Sequence, residues 1–330
     1  MKTAHERHDA KYPLGLLLIA CAALLVPISC SSTSKMAKPL GDFSAATSDA
    51  ATVTTSALSI VQSADQDAVV TKAAAAKLTS LKEKDVPAFF HPNDLLQRQL
   101  ALQTLTTYAA TLKTLSGVDK SADIQKSFDS LKTSIDSTVT TINKLNTDSK
   151  TQIPSGVVSG LVSLGSNLVI AYAAGERDKA IQTALEKSDT NVTRICSLLA
   201  AELGPPHGAI YDQLQNDYRT QEEAADVSFR EITNPSLQEG DSKPKDASKQ
   251  SAMLKPSELA PSIKMFLSLN NKKEYSLALL GSLASSYRKI AQAHTALKLE
   301  SETGAKSDLQ LRAVASEIDN VKFLYSQLSK

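Results

Sequence analysis

Leu280-Gly281-Ser282-Leu283-Ala284-Ser285-Ser286-Tyr287-Arg288-Lys289-Ile290-Ala291-Gln292-Ala293-His294-Thr295-Ala296-Leu297 decides the class of fold. Leu280, Leu283, Tyr287, Ile290, His294 and Leu297 follow one another at alternating steps of three and four. An α-helix turns once in about 3.6 residues, so these six share one face; a strand would send them to both. Beyond Gly304 the pattern resumes with Leu311, Val314, Ile318, Val321, Tyr325 and Leu328. Glycine just past a helical run is a usual stop, so two helices meet there.

Working upstream, the same spacing returns five times. Leu214, Tyr218, Ala225 and Ile232 form an inward face over about 209–232. Ile181, Leu185, Ser188, Val192, Ile195 and Leu199 form another, which ends at Leu203-Gly204-Pro205-Pro206. Ile124, Phe128, Leu131, Ile135, Thr138, Ile142 and Leu145 define a helix from about Ser121, and Leu102, Leu105, Ala109 and Leu112 one that Asn93 or Asp94 opens and Gly117 closes. Val53, Ala57, Ile60, Ala64 and Ala68 mark a helix from about Ser44, with helical character continuing over Ala73 to Leu81 before Pro87 and Pro92. No segment shows sustained strand alternation between hairpin turns. The expected fold is therefore all-α: an elongated, mostly antiparallel bundle of about six or seven long helices over 44–330. Residues 234–256, with Pro235, Gly240, Pro244 and Pro256 among charges and serines, read as a mobile loop.

The N-terminus is of another kind. Met1 to Pro13 carries Lys2, Arg7 and Lys11; Leu14 to Ile28 is apolar and uncharged; Cys30 follows, and then Ser31, Ser32, Thr33, Ser34 and Lys35. A charged start, a short apolar run and a sudden polar turn describe a signal peptide over 1–29. The run is short for a membrane span, which takes about 20 apolar residues. Val26-Pro27-Ile28-Ser29-Cys30 resembles the lipobox of bacterial lipoproteins, with Pro27 where an aliphatic residue is usual. The resemblance implies acylation of Cys30, palmitate among the chains, and attachment to a cell-envelope membrane. Leu18-Ile19-Ala20-Cys21 offers Cys21 as the alternative, although cleavage there leaves the mature chain beginning inside the apolar run. An ordinary cleaved leader and an uncleaved anchor are further readings of the same residues. Ser31 after the cysteine resembles the outer-membrane pattern of Gram-negative lipoproteins. Residues 30–43, polar and broken by Pro39 and Gly41, read as a flexible tether.

Composition excludes several classes of partner. The chain holds 36 basic and 35 acidic residues; removing 1–29 takes three and two of them, leaving 33 of each. With no polybasic run, nucleic acid and anionic lipid are not the expected surface partners. The only mature thiol beyond Cys30 is Cys196, so no internal disulfide is expected.

Residues 151–175 contain no charge. There Val157, Leu161, Leu164 and Leu168 line one side, and Gly156, Gly160, Ser163 and Asn167 another. Gly156 and Gly160 form a small-xxx-small pair that permits close helix packing. This segment reads as a buried central helix. The second reading is conditional membrane contact over 153–174, an arrangement that loosely resembles helical pore-forming toxins in layout alone.

Chemistry is sparse. His91, His207 and His294 are the mature histidines, and none lies three residues after a glutamate, as the di-iron bundles that resemble ferritin require. No zinc, nucleophile-elbow or phosphate-loop motif occurs. No metal, cofactor or catalytic residue is expected. His294, between Ile290 and Leu297, reads as a satisfied core histidine, and Cys196 as an inert core thiol. His207 lies in a Pro-Pro-His-Gly turn. Phe89 and Phe90 beside His91 read as a staple holding a loop to the bundle. Glu222, Glu223 and Asp226 with Arg219 and Arg230 read as a solvated helix face. The expected function is non-enzymatic: an envelope lipoprotein that binds or scaffolds another envelope protein. The alternatives are a pore-forming or membrane-active protein and a small-ligand-sensing bundle.

Overall fold

The computed structural model describes residues 34–76, 92–117, 177–233 and 256–329, with a few positions between 126 and 133. Six helices are defined among these residues and no strand: α1 (Ala37–Ala75), α2 (Pro92–Gly117), α3 (Arg177–Leu203), α4 (Ala209–Thr233), α5 (Pro256–Thr303) and α6 (Asp308–Leu328). Ser34–Lys330 form one compact unit. Most of the helix expected near 121–145, all of the 234–256 loop but Pro256, and the uncharged segment 153–174 lie outside the described residues.

The all-α expectation holds, and side-chain pairs set the directions. Arg98 meets Glu202 while Tyr108 meets Ser188, so α2 and α3 are antiparallel. On α5, Ser276 meets Tyr218 of α4, Tyr287 meets Thr54 of α1, and Asn320 of α6 reaches Ser282. With Phe43 stacked near His294, these pairings run α5 against α1, α4 and α6. Ser188 beside His294 and Gly204 beside Ala284 set α3 against it too. The 48 residues of α5 span about 72 Å at 1.5 Å each. Along that length α3 and α4 lie end to end, α3 on the C-terminal half and α4 on the N-terminal half.

The break between them has a local cause. Pro205 and Pro206 cannot continue a helix, and His207 takes a left-handed backbone (φ 73°). A Cβ on Gly208 would lie 2.5 Å from the Gly204 carbonyl oxygen and 2.6 Å from that of Glu202. Only glycine lets the chain double back so closely. The close of α5 is of the glycine-cap kind: Gly304 has φ 76°, and its N–H donates to the Glu300 carbonyl at 2.8 Å.

The core is the set of seams expected from spacing. Leu280, Leu283, Tyr287, Ile290, His294 and Leu297 are all fully buried, as are Leu105, Ala109, Leu112, Ile181, Leu185 and Val192. Each large apolar member contributes roughly 1.5–3 kcal/mol relative to exposure. Val314, Ile318 and Val321 close α6 onto α5.

Three expectations need correction. The tether does not extend to residue 43: α1 begins at Ala37, and Leu40 and Phe43 are fully buried in the core. Pro39 does not break it, because the first-turn N–H groups have no intrahelical partner to lose. A side chain at Gly41 would meet nothing within 4 Å, so that glycine marks an open face and not a turn. Secondly, Pro256 opens α5 instead of closing a loop, and the helix runs on through Pro261. Thirdly, Ile232, read as inward, is 38% exposed.

Candidate functional site

Four side chains from three helices meet in the core beside Phe43: Tyr108 of α2, Ser188 and Asp189 of α3, and His294 of α5. His294 Nδ1 lies 2.9 Å from Asp189 Oδ1. Its Nε2 lies 2.9 Å from the Tyr108 hydroxyl and 3.2 Å from Ser188 Oγ. Tyr108 and Ser188 also touch each other. The Thr295 hydroxyl donates to Asp189 Oδ1 at 2.9 Å, and Ser188 donates to the Ala184 carbonyl at 2.6 Å.

Two hydroxyl protons serve the four contacts around Nε2: Ser188 gives its own to the Ala184 carbonyl, so the Tyr108 proton points at Nε2 with Ser188 Oγ beside it, and no separate Ser188–Nε2 bond forms. The Asp189 carboxylate accepts from Nδ1–H and from Thr295; Nε2 then accepts from the Tyr108 O–H. The electrostatics agree. Burial pushes His294 below the usual histidine range, against the opposing pull of Asp189. The bond from His294 holds Asp189 below the usual carboxylate range, helped by Thr295. Burial pushes Tyr108 well up, so the phenol keeps its proton. The imidazole is therefore neutral near pH 7, and the one ionised member, Asp189, sits partly at the surface.

Asp, His and Ser in this order resemble, in connectivity, a catalytic triad. The surroundings give the arrangement another role. Ser188 and His294 have no exposed surface, and the serine hydroxyl is turned onto its own helix. A nucleophile needs an approach for substrate and donors for a developing oxyanion. The tetrad instead ties α2, α3 and α5 together, as Tyr287 with Thr54 and Tyr218 with Ser276 do elsewhere.

Other residues singled out by sequence fall as follows. His294 is fully buried and partnered, as expected for a core histidine. Cys196 is buried and desolvation pushes its thiol up to about 12, so it carries no reactive thiolate. His207 is exposed at the α3–α4 break, 3.9 Å from Asp212. Arg219–Glu223 and Arg230–Asp226 are exposed i,i+4 pairs; Glu222 departs from that face and takes Lys273 of α5 at 2.7 Å. Cys21, Cys30, His91, Gly156, Gly160, Ser163 and Asn167 lie outside the described residues. Among the described residues no group of three or more His, Cys, Asp or Glu side chains could hold a metal ion. Nor is any described helix long and apolar enough to cross a membrane.

Sequence reasoning missed Tyr108 and Asp189. The available signal was Ser188 and His294, two polar residues on otherwise apolar seams. Buried polar groups find partners, so each pointed to an unseen neighbour.

A second feature lies at the N-terminal end of α5. Val70 and Ala74 of α1, Val227 of α4, and Met265 and Leu269 of α5 line an open groove of about 780 Å³. Comparison with known families, curated proteins and solved structures gives no match for this chain.

Proposed function

We propose that this chain is an envelope lipoprotein, acylated at Cys30, that acts without catalysis as a helical binding or scaffold protein. The observation that carries the reading is the sealing of the triad-like cluster found among the described residues: its polar groups are spent on joining helices. What lies open is an apolar groove at a helix end, a feature suited to docking. The lipobox-like Val26–Cys30 supports the anchor. Ser34 lies within the bundle, donating to Asp178 at 2.8 Å, so at most about 14 Å of chain separates a lipid on Cys30 from the folded body.

The test is incorporation of labelled palmitate into the full chain. Label that is lost in Cys30→Ser and kept in Cys21→Ser supports the anchor; label kept in Cys30→Ser, or absent from the wild type, overturns it. Capture of the acylated chain from envelope extracts then names the partner.

A membrane-active role is the second reading, and one observation favours it. α2 ends at Gly117 and α3 begins at Arg177, both at the end of the bundle where Ser34 lies. The connection holding the uncharged segment 153–174 is thus joined to the pole of the bundle at which Ser34 lies. Dye release from liposomes by the full chain supports this reading, and intact liposomes remove it.

A further inference from the structure

We propose that the bundle is a two-ended pH device: acid weakens the half that holds the tetrad, neutral pH weakens the half that holds Asp65 and Asp217, and the weakest part of the rod changes place with pH. Two buried clusters carry the inference, one on each side of the α3–α4 break.

In the first, His294 has no exposed surface. The charged and titratable groups that face it are Asp189 of α3, Tyr108 of α2 and Lys298 of α5, while α1 presents the Phe43 ring. Asp189 holds the Nδ1 side. A second ring proton would sit on Nε2, against the Tyr108 oxygen, whose own proton must then turn to Ser188 Oγ. The bonds can be remade, but a full charge is left in the core with its carboxylate on the other side of the ring. In the second cluster, Asp65 and Asp217 are 7% and 2% exposed and share the Gln213 amide. Lys72 of α1 is the basic group that faces Asp217, and it stands exposed. Loss of the Asp217 proton sets two negative charges side by side and leaves Oδ2 without a hydrogen-bond partner among the described residues.

The signs are opposite. Burial lowers His294, so its contribution is complete above about 6.5, the unfolded value, and is lost as pH falls. Burial and the Asp65 charge raise Asp217 to about 6, so its contribution is lost as pH rises from about 4 to about 6. Asp189 is lowered, and its contribution is lost only in stronger acid, below about 4. The clusters also act separately. Ser276, which meets Tyr218 next to Asp217, and His294 are about 27 Å apart along α5. That is about three Debye lengths at physiological salt. α3 carries one cluster and α4 the other, and neither helix crosses the joint at Gly204–Gly208. Proteins open locally where contacts are weakest, so each half can respond alone. The inference is independent of the lipid anchor.

Hydrogen exchange of the full chain in mild detergent at pH 5 and pH 7.5, corrected for the intrinsic rate at each pH, tests it. From pH 7.5 to pH 5, opening of residues 184–192 is expected to rise at least about threefold, and opening of residues 61–68 and 213–221 to fall roughly fivefold. Asp217→Asn should abolish the second change and leave the first. Opening that moves the same way in both regions, that ignores pH in either, or that Asp217→Asn alters at residues 184–192, overturns the proposal.

Discussion

Replacing Asp217 by asparagine should stabilise the protein near neutral pH and leave it unchanged in acid. Asp217 of α4 and Asp65 of α1 are buried against one another at the α1–α4 seam. Gln213 Nε2 donates to Asp217 at 2.8 Å and to Asp65 at 3.4 Å. Asp217 Oδ2 finds no hydrogen-bond partner among the described residues. Burial first, and the Asp65 charge second, push Asp217 up to about 6. An unfolded aspartate titrates at about 3.9. Between those values the folded chain holds a proton that the unfolded chain has lost, so stability falls as pH rises from about 4 to about 6. The steepest slope for one proton is about 1.4 kcal/mol per pH unit. Two units give an upper bound of about 3 kcal/mol, and screening at a seam near water reduces it to about 1–2 kcal/mol. Asp217→Asn removes the charge at constant shape. Urea unfolding at pH 4, 5, 6, 7 and 8 should show equal stability at pH 4 and a gain that reaches its plateau above pH 6. His294 slopes the other way: its folded value is lowered, so its contribution is full above about 6.5 and is lost as pH falls. The two offset one another in the wild type, and Asp217→Asn should expose the histidine slope. A gain that is the same at every pH, or that grows toward acid, refutes the reasoning.

Tyr108→Phe removes the hydroxyl shared by Ser188 and His294 and should cost about 1–2 kcal/mol in chemical unfolding, with helix content preserved. Phe43→Ala should cost about 3–5 kcal/mol, because the ring is fully buried; a loss below about 1 kcal/mol would return residues 37–43 to a tether. Gly208→Ala sets a Cβ 2.5 Å from a carbonyl oxygen and should lower the melting temperature, with a loss of about 1–3 kcal/mol, whereas Gly41→Ala, on an open helix face, should be neutral or raise it.

Helix type and inward faces were readable because burial imposes a period, and Leu280 to Leu297 keep that period without a gap. Ends were harder. Pro39 and Pro256 looked like punctuation, yet a proline in the first turn forfeits no bond, so residue type alone does not separate a start from a stop. Ile232 kept the period yet is exposed, because what a face packs against is not carried by one helix's own pattern. The tetrad was half readable. Ser188 and His294 declared themselves by polarity on apolar seams, whereas Asp189 looks like any surface carboxylate next to Lys187. Its role depends on which face of α5 arrives beside it, 105 residues later in the chain. Tyr108 faces inward beside Ala109 and looks apolar until its hydroxyl is placed. The groove at residues 70, 227 and 265 was unreadable, since it exists only where three helices from distant parts of the chain end together.

The joint at Gly204–Gly208 divides one side of the rod into two pieces, while α5 passes it unbroken, with Gly281 facing the Pro205 ring. In mechanical terms α5 is a splint across a fracture. α1 crosses the same level unbroken, from Phe43 beside His294 to Ala64 beside Gln221, and Asn320 of α6 reaches Ser282 there, so the joint interrupts one side of the rod while load along it passes through the helices that bridge the break.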